Sequence, residues 1–460
     1  MVNEKKISSG FIYFFGAFAG ILFGYDIGVM TGALPFLQQD WSLENNAGTI
    51  GWITSSVMLG AIFGGALAGQ LSDRLGRRRM ILISALIFIV GSILSGIAPH
   101  NGVIFLIIAR ILLGLAVGAS SALVPAYMSE MAPARMRGRL SGINQTMIVS
   151  GMLLSYIVDF ILKDLSGTLA WRLMLGMAAI PAIILYVGML KLPESPRFLI
   201  KNNKLDEARK VLGYIRSDKG EIDSEIKQIF EAAREERKLN QKTSWGTLLS
   251  NKYRYLLIAG VGVAAFQQFQ GANAIFYYIP LIVENATGHA ASSALMWPII
   301  QGIILVVGSL IFLMIADKFN RRTLLTIGGT VMGLSFILPA IMNVLIPNAN
   351  PMMMVVFLSI YVALYSFTWA PLTWVIVGEV FPLTIRGRAS GLASSFNWIG
   401  SFLVGLLFPI MTDSMPQEAV FAIFGVICLL GVIFIRIRVP ETRGCSLEEI
   451  EKIGENKQSA

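Results

Sequence analysis

Residues 16–32 read GAFAGILFGYDIGVMTG, an apolar stretch with a glycine at every fourth position and a single acid, Asp26. Glycines four residues apart advance about 40° per step around an α-helix, so they form one seam on which a second helix can approach closely. Asp26 lies about 200° around the helix from Gly24 and faces other helices or a cavity. The stretch predicts a tightly packed membrane-spanning helix with an ionisable group in its interior.

The composition of the whole chain supports a membrane protein. Of its 460 residues, 55% are hydrophobic and 14% are charged, whereas soluble domains carry about 25% charged residues. Apolar runs of roughly 20 residues, long enough to cross a bilayer core of about 30 Å, recur along the chain. They predict an all-α membrane protein with twelve spans, at 11–37, 50–71, 80–98, 103–127, 140–162, 171–192, 253–283, 293–316, 323–346, 352–377, 389–412 and 417–438.

The basic residues predict the orientation of these spans. An even number of spans puts both termini on one side, and all but three of the 37 Lys and Arg then lie on that side. The exceptions are Lys163 and Arg172 on the opposite side and Arg110 within the fourth span. Because basic loops stay inside, we expect cytoplasmic termini and a multi-pass protein of the plasma membrane. The net charge of +9 is then a topology signal and predicts no nucleic-acid partner.

The two halves of the chain repeat each other. DRLGRRR at 73–79 returns as DKFNRR at 317–322, SEMAPARMRGR at 129–139 as GEVFPLTIRGR at 378–388, and PESPR at 193–197 as PETRG at 440–444, all at nearly the same offset. Parallel six-helix repeats are typical of transporters with the substrate at the interface between the halves. We predict an N-terminal half at 1–192, a cytoplasmic linker at 193–252, a C-terminal half at 253–438 and a cytoplasmic tail at 439–460.

The linker has two stretches with helical periodicity. A short helix is expected at 205–216, and a second, amphipathic helix is expected where apolar residues keep helical spacing, at Ile222, Ile226, Ile229, Phe230 and Ala233. A solvated linker without such helices is the alternative.

The repeated motifs also carry a family resemblance over nearly the whole chain. Together with QQFQGANAIFYY at 267–278, they resemble the sugar porters of the major facilitator superfamily, and bacterial D-xylose–proton symporters in particular. The resemblance implies the major facilitator fold and transport of a monosaccharide by alternating access.

The repeated charges lie on short loops between helix ends on the cytoplasmic side. They predict ion-pair networks that hold one conformation closed and break in the other. The alternative is a purely topological role, but topology alone requires only Lys and Arg, and these motifs pair them with acids. The predicted network residues are Asp73, Arg74, Arg77, Glu130, Arg137, Asp317, Arg321, Glu379 and Arg386.

Asp26 predicts a proton-coupling site. A charged Asp at the centre of a span costs roughly 2.5–3.5 kcal/mol, so it is either protonated part of the time or paired with a cation. Arg110 is the cation at comparable depth. Burial and a nearby arginine act oppositely on the proton affinity of a carboxyl, so alternation between them binds and releases one proton per cycle. In the resembling family, proton-coupled members carry this acid. A static structural pair is the alternative, and some passive carriers also keep the acid.

The seventh span supplies the predicted substrate site. Gln267, Gln268, Gln270 and Asn273 are four amides in one apolar run, and amides, which both donate and accept hydrogen bonds, suit a neutral polyhydroxyl ligand. On an ideal helix Asn273 lies about 140° from Gln268, so one ligand could not easily meet both. Gly271 can break the helix and reorient its second part, as at other transporter sites.

Two tryptophans within later spans, Trp374 and Trp398, offer flat faces for sugar C–H groups, although aromatic-belt positions are the usual role of such residues. The resemblance implies sugar contacts at Gln145, Gln267, Gln268, Asn273, Trp374 and Asn397, and cavity-lining or gating roles at Tyr277 and Trp398. Met152 and Leu305 stand where family members compared carry amides, which leaves the preferred sugar open.

These features predict inward symport of a monosaccharide with a proton by a chain that functions as a monomer. D-xylose is the first expectation, with D-glucose or D-galactose close behind. A passive sugar facilitator of the same fold is the alternative. A nutrient sensor would usually need a longer signalling tail, and an enzyme would need clustered acids, histidines or metal ligands within the spans. No metal or other cofactor is predicted.

Overall fold

The computed structural model describes residues 8–131, 137–216, 219–242, 245–288, 293–315, 318–346, 352–382, 384–444, 449–450 and 453. All regular secondary structure in these residues is helical. The first half contains α1 (Ser9–Asp40), α2 (Ala47–Leu75), α3 (Arg77–Gly96), α4 (Val103–Met131), α5 (Arg137–Leu162), α6 (Gly167–Met177) and α7 (Ala179–Leu190).

The second half begins after four shorter or more polar helices. These are α8 (Pro196–Lys201), α9 (Leu205–Ile215), α10 (Lys219–Lys242) and α11 (Trp245–Leu248). The second half consists of α12 (Asn251–Phe269), α13 (Ala272–Thr287), α14 (Met296–Ile315), α15 (Arg321–Leu345), α16 (Met352–Phe367), α17 (Trp369–Val380), α18 (Arg386–Ser414) and α19 (Gln417–Arg438).

Every predicted span corresponds to a helix or to a broken pair of helices. Eleven helical segments in the described residues are long and apolar enough to cross a membrane. The seventh predicted span is the twelfth, because it is divided into α12 and α13. The predicted all-α, twelve-span fold is confirmed. Helices such as α2 continue past their apolar run into the charged motif because an unbroken helix keeps its backbone hydrogen bonds satisfied.

Helices are also present where the linker has helical periodicity. α9 buries Ala208, Val211 and Leu212, and α10 begins three residues before the first apolar residue of its predicted face, Ile222, which is buried. A bidentate ion pair at 2.8 Å between Arg216 and Glu225 joins the two helices.

As predicted, another helix packs closely on the glycine seam of α1, and the structure shows that this helix is α5. A Cβ added at Gly24 would overlap the backbone carbonyl of Ile148, and one added at Gly28 would overlap the hydroxyl of Ser155. Gly32, at the end of the seam, lies directly against Asp159. The seam therefore lets two backbones approach to a distance that no larger residue would permit.

The two halves pack closely against each other near one membrane face. We call the face that carries both termini the terminal face, and the other the opposite face. The halves meet through α2 with α18, α5 with α14, and α1 with α13. Gly51 of α2 packs on the backbone of Leu406 near the opposite face, whereas a Cβ at Gly69 or Gly391, nearer the terminal face, would meet no atom within 4 Å. Close backbone packing between α2 and α18 is thus found near the opposite face. A hydrogen bond of 3.3 Å between Ser309 of α14 and Thr146 of α5 joins the halves further toward the terminal face.

Candidate functional site

The helix break predicted at Gly271 is confirmed. Gly271 has φ of 87°, in the left-handed region that residues with a Cβ rarely adopt, and α12 ends just before it while α13 begins just after it. The break reorients the second part of the span. Gln268 before the break and Asn273 after it are hydrogen-bonded, with Asn273 Nδ2 donating to Gln268 Oε1 at 3.0 Å.

A network of amides extends from this pair to α18. Asn397 of α18 donates from Nδ2 to Gln267 Oε1 at 2.7 Å and to the Ala264 carbonyl at 2.8 Å. Its own Oδ1 accepts from Gln268 Nε2 at 3.3 Å. Asn273 Nδ2 also donates to the hydroxyl of Ser401. The four amides Gln267, Gln268, Asn273 and Asn397 thus form one connected group, which we call the amide network.

The amide network is rigidly held and uncharged. Gln267 Nε2 donates to the carbonyls of Trp369 and Ala370 at 3.2 and 2.9 Å, which links α12 to α17. Gln268 is half-buried while Gln267, Asn273 and Asn397 are buried. Such a group offers donors and acceptors in fixed positions without net charge, which suits hydroxyl groups of a neutral ligand.

Gln270, the third amide of the run, also precedes the break, but its side chain points away from the amide network. Its side chain faces α19, where a Cβ at Gly431 would lie 3.0 Å from its Nε2, and Tyr361 donates to its backbone carbonyl at 2.9 Å. Neither polar atom of the Gln270 side chain has a hydrogen-bond partner among the described residues. Gln270 is therefore outside the amide network.

Asp26 and Arg110 form a buried ion pair. Their side chains have exposed fractions of 2% and 0%, and Arg110 Nη1 lies 3.5 Å from Asp26 Oδ1. Arg110 Nε donates to the Ile53 carbonyl of α2 at 3.0 Å, and its Nη2 has no hydrogen-bond partner in the described part of the chain. A single long contact leaves both charges incompletely satisfied in a low-dielectric interior, where desolvation is expensive.

Tyr277 lies near this ion pair, on the helix that also carries Asn273 of the amide network. It is buried on α13, one helical turn after Asn273, and it interacts electrostatically with both Asp26 and Arg110. Its hydroxyl faces the sulfur of Met58 at 4.0 Å. Tyr277 is thus a side chain of the second half that reaches the charged pair of the first half.

The other predicted contact residues lie in different surroundings. Trp398 is buried and packs edge-on against Phe23 of α1, with ring centroids 5.3 Å apart. Trp374 is 41% exposed and shares its helix face with Gly378, where a Cβ would have open space. Gln145 is half-buried on α5. The hydrogen bonds described for the amide network do not include Gln145 or either tryptophan.

A separate cavity opens at the opposite face. Its volume is about 540 Å³, and Tyr278 and Phe408 are among its lining residues. The hydroxyl of Tyr278 shares a hydrogen bond with Thr54 and donates to the Gly405 carbonyl at 2.8 Å. No member of the amide network lines this cavity. The cavity is therefore distinct from the predicted substrate site.

The repeated charges at the terminal face form ion pairs within each half. Arg77 pairs with Asp73 at 2.9 Å and with Glu130 at 3.4 Å, and Arg321 pairs with Glu379 at 3.5 Å. Of the remaining predicted residues, Arg74 is exposed and Arg386 donates to the Phe381 carbonyl at 3.1 Å. Asp317 and the side chain of Arg137 lie outside the described residues.

The sequence reasoning missed the residues that complete these networks. Glu194 accepts hydrogen bonds from the backbone amides of Arg77 and Arg78 at 2.9 and 3.0 Å, which caps the N-terminus of α3. Glu441 caps α15 in the same way, through the amides of Arg321 and Arg322. Carboxylates are stabilised at helix N-termini. The repeated PES and PET motifs were the signal that could have identified both caps.

The fold and the site define a membrane transporter built from two six-helix halves around a central polar site. A family model described as "Sugar (and other) transporter" matches residues 12–453. The chain therefore belongs to the sugar transporter family, whose members are multi-pass membrane transporters and not enzymes.

Relatives cover almost the entire chain. A D-xylose transporter of Levilactobacillus brevis is 42% identical over 97% of this chain and 96% of its own length. The glucose transporter GlcP of Staphylococcus epidermidis is 39% identical, with 97% of each chain covered. A galactose-proton symporter of Escherichia coli is 35% identical over 98% of this chain and 95% of its own.

Solved structures show the same architecture. The partially occluded inward open conformation of the xylose transporter XylE from Escherichia coli matches with a TM-score of 0.84 and 28% identity, over 95% of this chain and 99% of that one. The proton:xylose symporter XylE bound to 6-bromo-6-deoxy-D-glucose matches with a TM-score of 0.80 and 29% identity, over 96% and 98%.

Proposed function

We propose that this sugar transporter is a symporter that moves a monosaccharide inward across the plasma membrane together with a proton. The observation that carries this proposal is the buried ion pair of Asp26 and Arg110, which lies near Tyr277 on the helix that holds Asn273. Burying two charges that share only one long contact costs desolvation free energy. A role in binding and releasing a proton explains why the pair is present, whereas a purely structural role does not.

The proposed substrate is D-xylose in the first place, with D-glucose or D-galactose next. The amide network supports a neutral polyhydroxyl ligand because all its polar groups are uncharged. The relatives named for D-xylose, glucose and galactose support the same group of sugars. In this proposal Gln145, Trp374 and Trp398 complete the sugar site when the halves close around the ligand.

The proposed coupling acts through Arg110. When Asp26 binds a proton, its attraction for the guanidinium falls to that of a neutral hydrogen-bond partner. Arg110 also holds the Ile53 carbonyl of α2, and α2 packs against α18 of the other half. Protonation of Asp26 thus changes a contact network that reaches the interface between the halves, where alternating access occurs.

The proton gradient supplies enough energy for accumulation. One elementary charge moving through 100 mV provides about 2.3 kcal/mol, and about 1.4 kcal/mol corresponds to a factor of ten. One proton per sugar therefore supports a sugar gradient of order tens-fold.

The proposal includes an orientation and an assembly state. The bias of Lys and Arg supports cytoplasmic termini, which makes the terminal face cytoplasmic and the opposite face external. A division into halves at 1–192 and 253–438, a linker at 193–252 and a tail at 439–460 follows the sequence repeat. We propose that one chain is the functional unit, since the predicted site lies within a single twelve-helix bundle.

A passive facilitator of the same fold is the second candidate, and one experiment separates the two. Purified chain in proteoliposomes is tested for counterflow against a panel of pentoses and hexoses, which identifies the sugar. That sugar is then added to de-energised cells. A symporter makes the weakly buffered medium more alkaline as sugar enters, whereas a facilitator leaves its pH unchanged. Cells without the transporter provide the control, and absent alkalinisation with intact sugar entry contradicts the proposed symport.

A further inference from the structure

A second acid is buried within the membrane-spanning part of the first half. Asp159 of α5 is 1% exposed, and neither carboxyl oxygen has a hydrogen-bond partner among the described residues. It lies directly against Gly32 of α1, where any Cβ would overlap the carboxyl group. The last glycine of the seam on α1 therefore packs against an ionisable side chain.

No ion pair to Asp159 is formed among the described residues. Lys163, one turn further along the chain, pairs with Asp164 at 3.8 Å. Tyr25 of α1 and Tyr156 of α5 interact with it electrostatically, and both are uncharged unless they lose a proton. α14 and the turn at Ser293–Leu295, which also pack on α5, contain no ionisable residue.

The nearest helices hold their own cations in other contacts. Arg110 of α4 pairs with Asp26. Arg172 of α6 donates to the carbonyls of Ala98 and Gly96 at 2.5 and 3.3 Å. An unpaired carboxylate in such surroundings is strongly disfavoured relative to the neutral acid, so this conformation selects the neutral, proton-bearing form of Asp159.

Asp159 is adjacent to the contacts that close the opposite face. The neighbour of Gly32 is Thr31, which donates to the Phe276 carbonyl of α13 at 2.5 Å and so joins the two halves. Tyr156, one turn before Asp159, interacts with Thr31 and packs against Gly302 of α14. Separation of α1 from α13 would bring water from the opposite face to this junction.

We propose that Asp159 is a second proton-binding site, which must carry its proton for the opposite face to close and exchanges that proton with the solution when this face opens. This extends the proposed proton coupling to a second acid. The ionised form would resist closure because closure removes its water without providing a cation to neutralise the charge. Closure, and with it sugar exchange, should therefore fail as the pH rises.

The test uses variants in which Asp26 cannot titrate. Counterflow of radiolabelled D-xylose, or of the sugar chosen by the panel above, is measured across a range of pH in proteoliposomes containing Asp26→Asn or Asp26→Asn with Asp159→Asn. In the single variant the rate should fall with rising pH, approaching about tenfold per pH unit at the alkaline end, and the double variant should show no such fall. Asp413→Asn, which removes an exposed acid in the last turn of α18 at the opposite face, is the matched control and should keep the fall.

If the pH profile is the same with and without Asp159, the proposal for Asp159 is wrong. The proposed symport is tested separately, by the alkalinisation that the wild-type protein causes. Asp159→Ser is a second neutral variant in case the asparagine protein does not insert. A further readout needs only the Asp26→Asn protein, whose infrared spectrum should contain a carbonyl band of a buried protonated carboxyl that disappears at alkaline pH. Absence of that band at neutral pH would also contradict the proposal.

Discussion

At the scale of single residues, adjacent amides in one run have different surroundings. Gln268 belongs to the amide network through Asn273 and Asn397. Gln270, two positions later, faces α19 and has no hydrogen-bond partner for its side chain in the described residues. Two positions along a helix differ by about 200° in direction, so the two glutamine side chains leave the chain on nearly opposite sides. The break then brings Asn273 to the side of Gln268, which residue type alone does not predict.

This difference predicts opposite results for two neighbouring substitutions. Gln268→Ala should raise the KM for sugar about five- to tenfold, because it removes ligand hydrogen bonds and two contacts within the network, each worth about 1 kcal/mol. Gln270→Leu should leave KM unchanged. Initial rates of counterflow in proteoliposomes measure both, and equal effects of the two variants would contradict the assignment of the site.

Some residues of the site could be predicted from the sequence, and others could not. The spacing of glycines placed Asp26 away from the seam, and the four amides around Gly271 indicated a broken helix. Ser401 was missed because an isolated serine in an apolar helix carries no distinctive pattern. Asp159 was missed for a related reason. An acid near the end of a predicted span is expected at the boundary between membrane and water. Its packing against Gly32, which the sequence does not reveal, shows that it is buried.

At the scale of elements, the closest packing follows glycines. The α1–α5 contact depends on Gly24, Gly28 and Gly32, and the α2–α4 contact uses Gly60 and Gly114 in the same way. The sequence predicted the seam on α1 from its regular spacing. It could not predict which helix fills the seam, because that depends on how all the helices of the half are arranged.

The seam predicts a difference between two glycines in neighbouring helices. Gly24→Ala should destabilise the protein by about 1–3 kcal/mol, because its Cβ would overlap the Ile148 carbonyl and force α1 away from α5. Gly69→Ala, where a Cβ has open space, should be neutral or slightly stabilising. Thermal unfolding in detergent compares them, and an unaltered Tm for Gly24→Ala would show that the seam is not tightly packed.

At the scale of the whole molecule, hydrogen bonds near the opposite face join the two halves, whereas the ion pairs of the repeated motifs at the terminal face join helices within a half. Thr31 donates to the Phe276 carbonyl and Thr54 shares a hydrogen bond with Tyr278, both across the interface, whereas Arg77 and Arg321 pair with acids of their own half. The repeat in the sequence predicted the two halves. Which membrane face is closed depends on small differences in free energy between the contacts at the two faces. No single sequence motif predicts such a difference.

This arrangement predicts that one cross-link can trap the transporter. In the described conformation an added Cβ at Gly405 lies 3.4 Å from the Cβ of Ser55, close to the separation found in disulfides. In a background with Cys428→Ala and Cys445→Ser, Ser55→Cys with Gly405→Cys should lose transport on oxidation and regain it on reduction. Each single variant is the control. Full transport by the oxidised double variant would show that these helices do not separate during the cycle.

The central claim is that Asp26, paired with Arg110, couples sugar movement to a proton. The most direct measurement compares uphill accumulation with counterflow in the Asp26→Asn variant, using the same proteoliposomes and sugar for both. Accumulation driven by a pH gradient should be abolished in this variant, while counterflow, which needs no net proton movement, should be largely kept. Accumulation at the wild-type level by this variant would contradict the central claim.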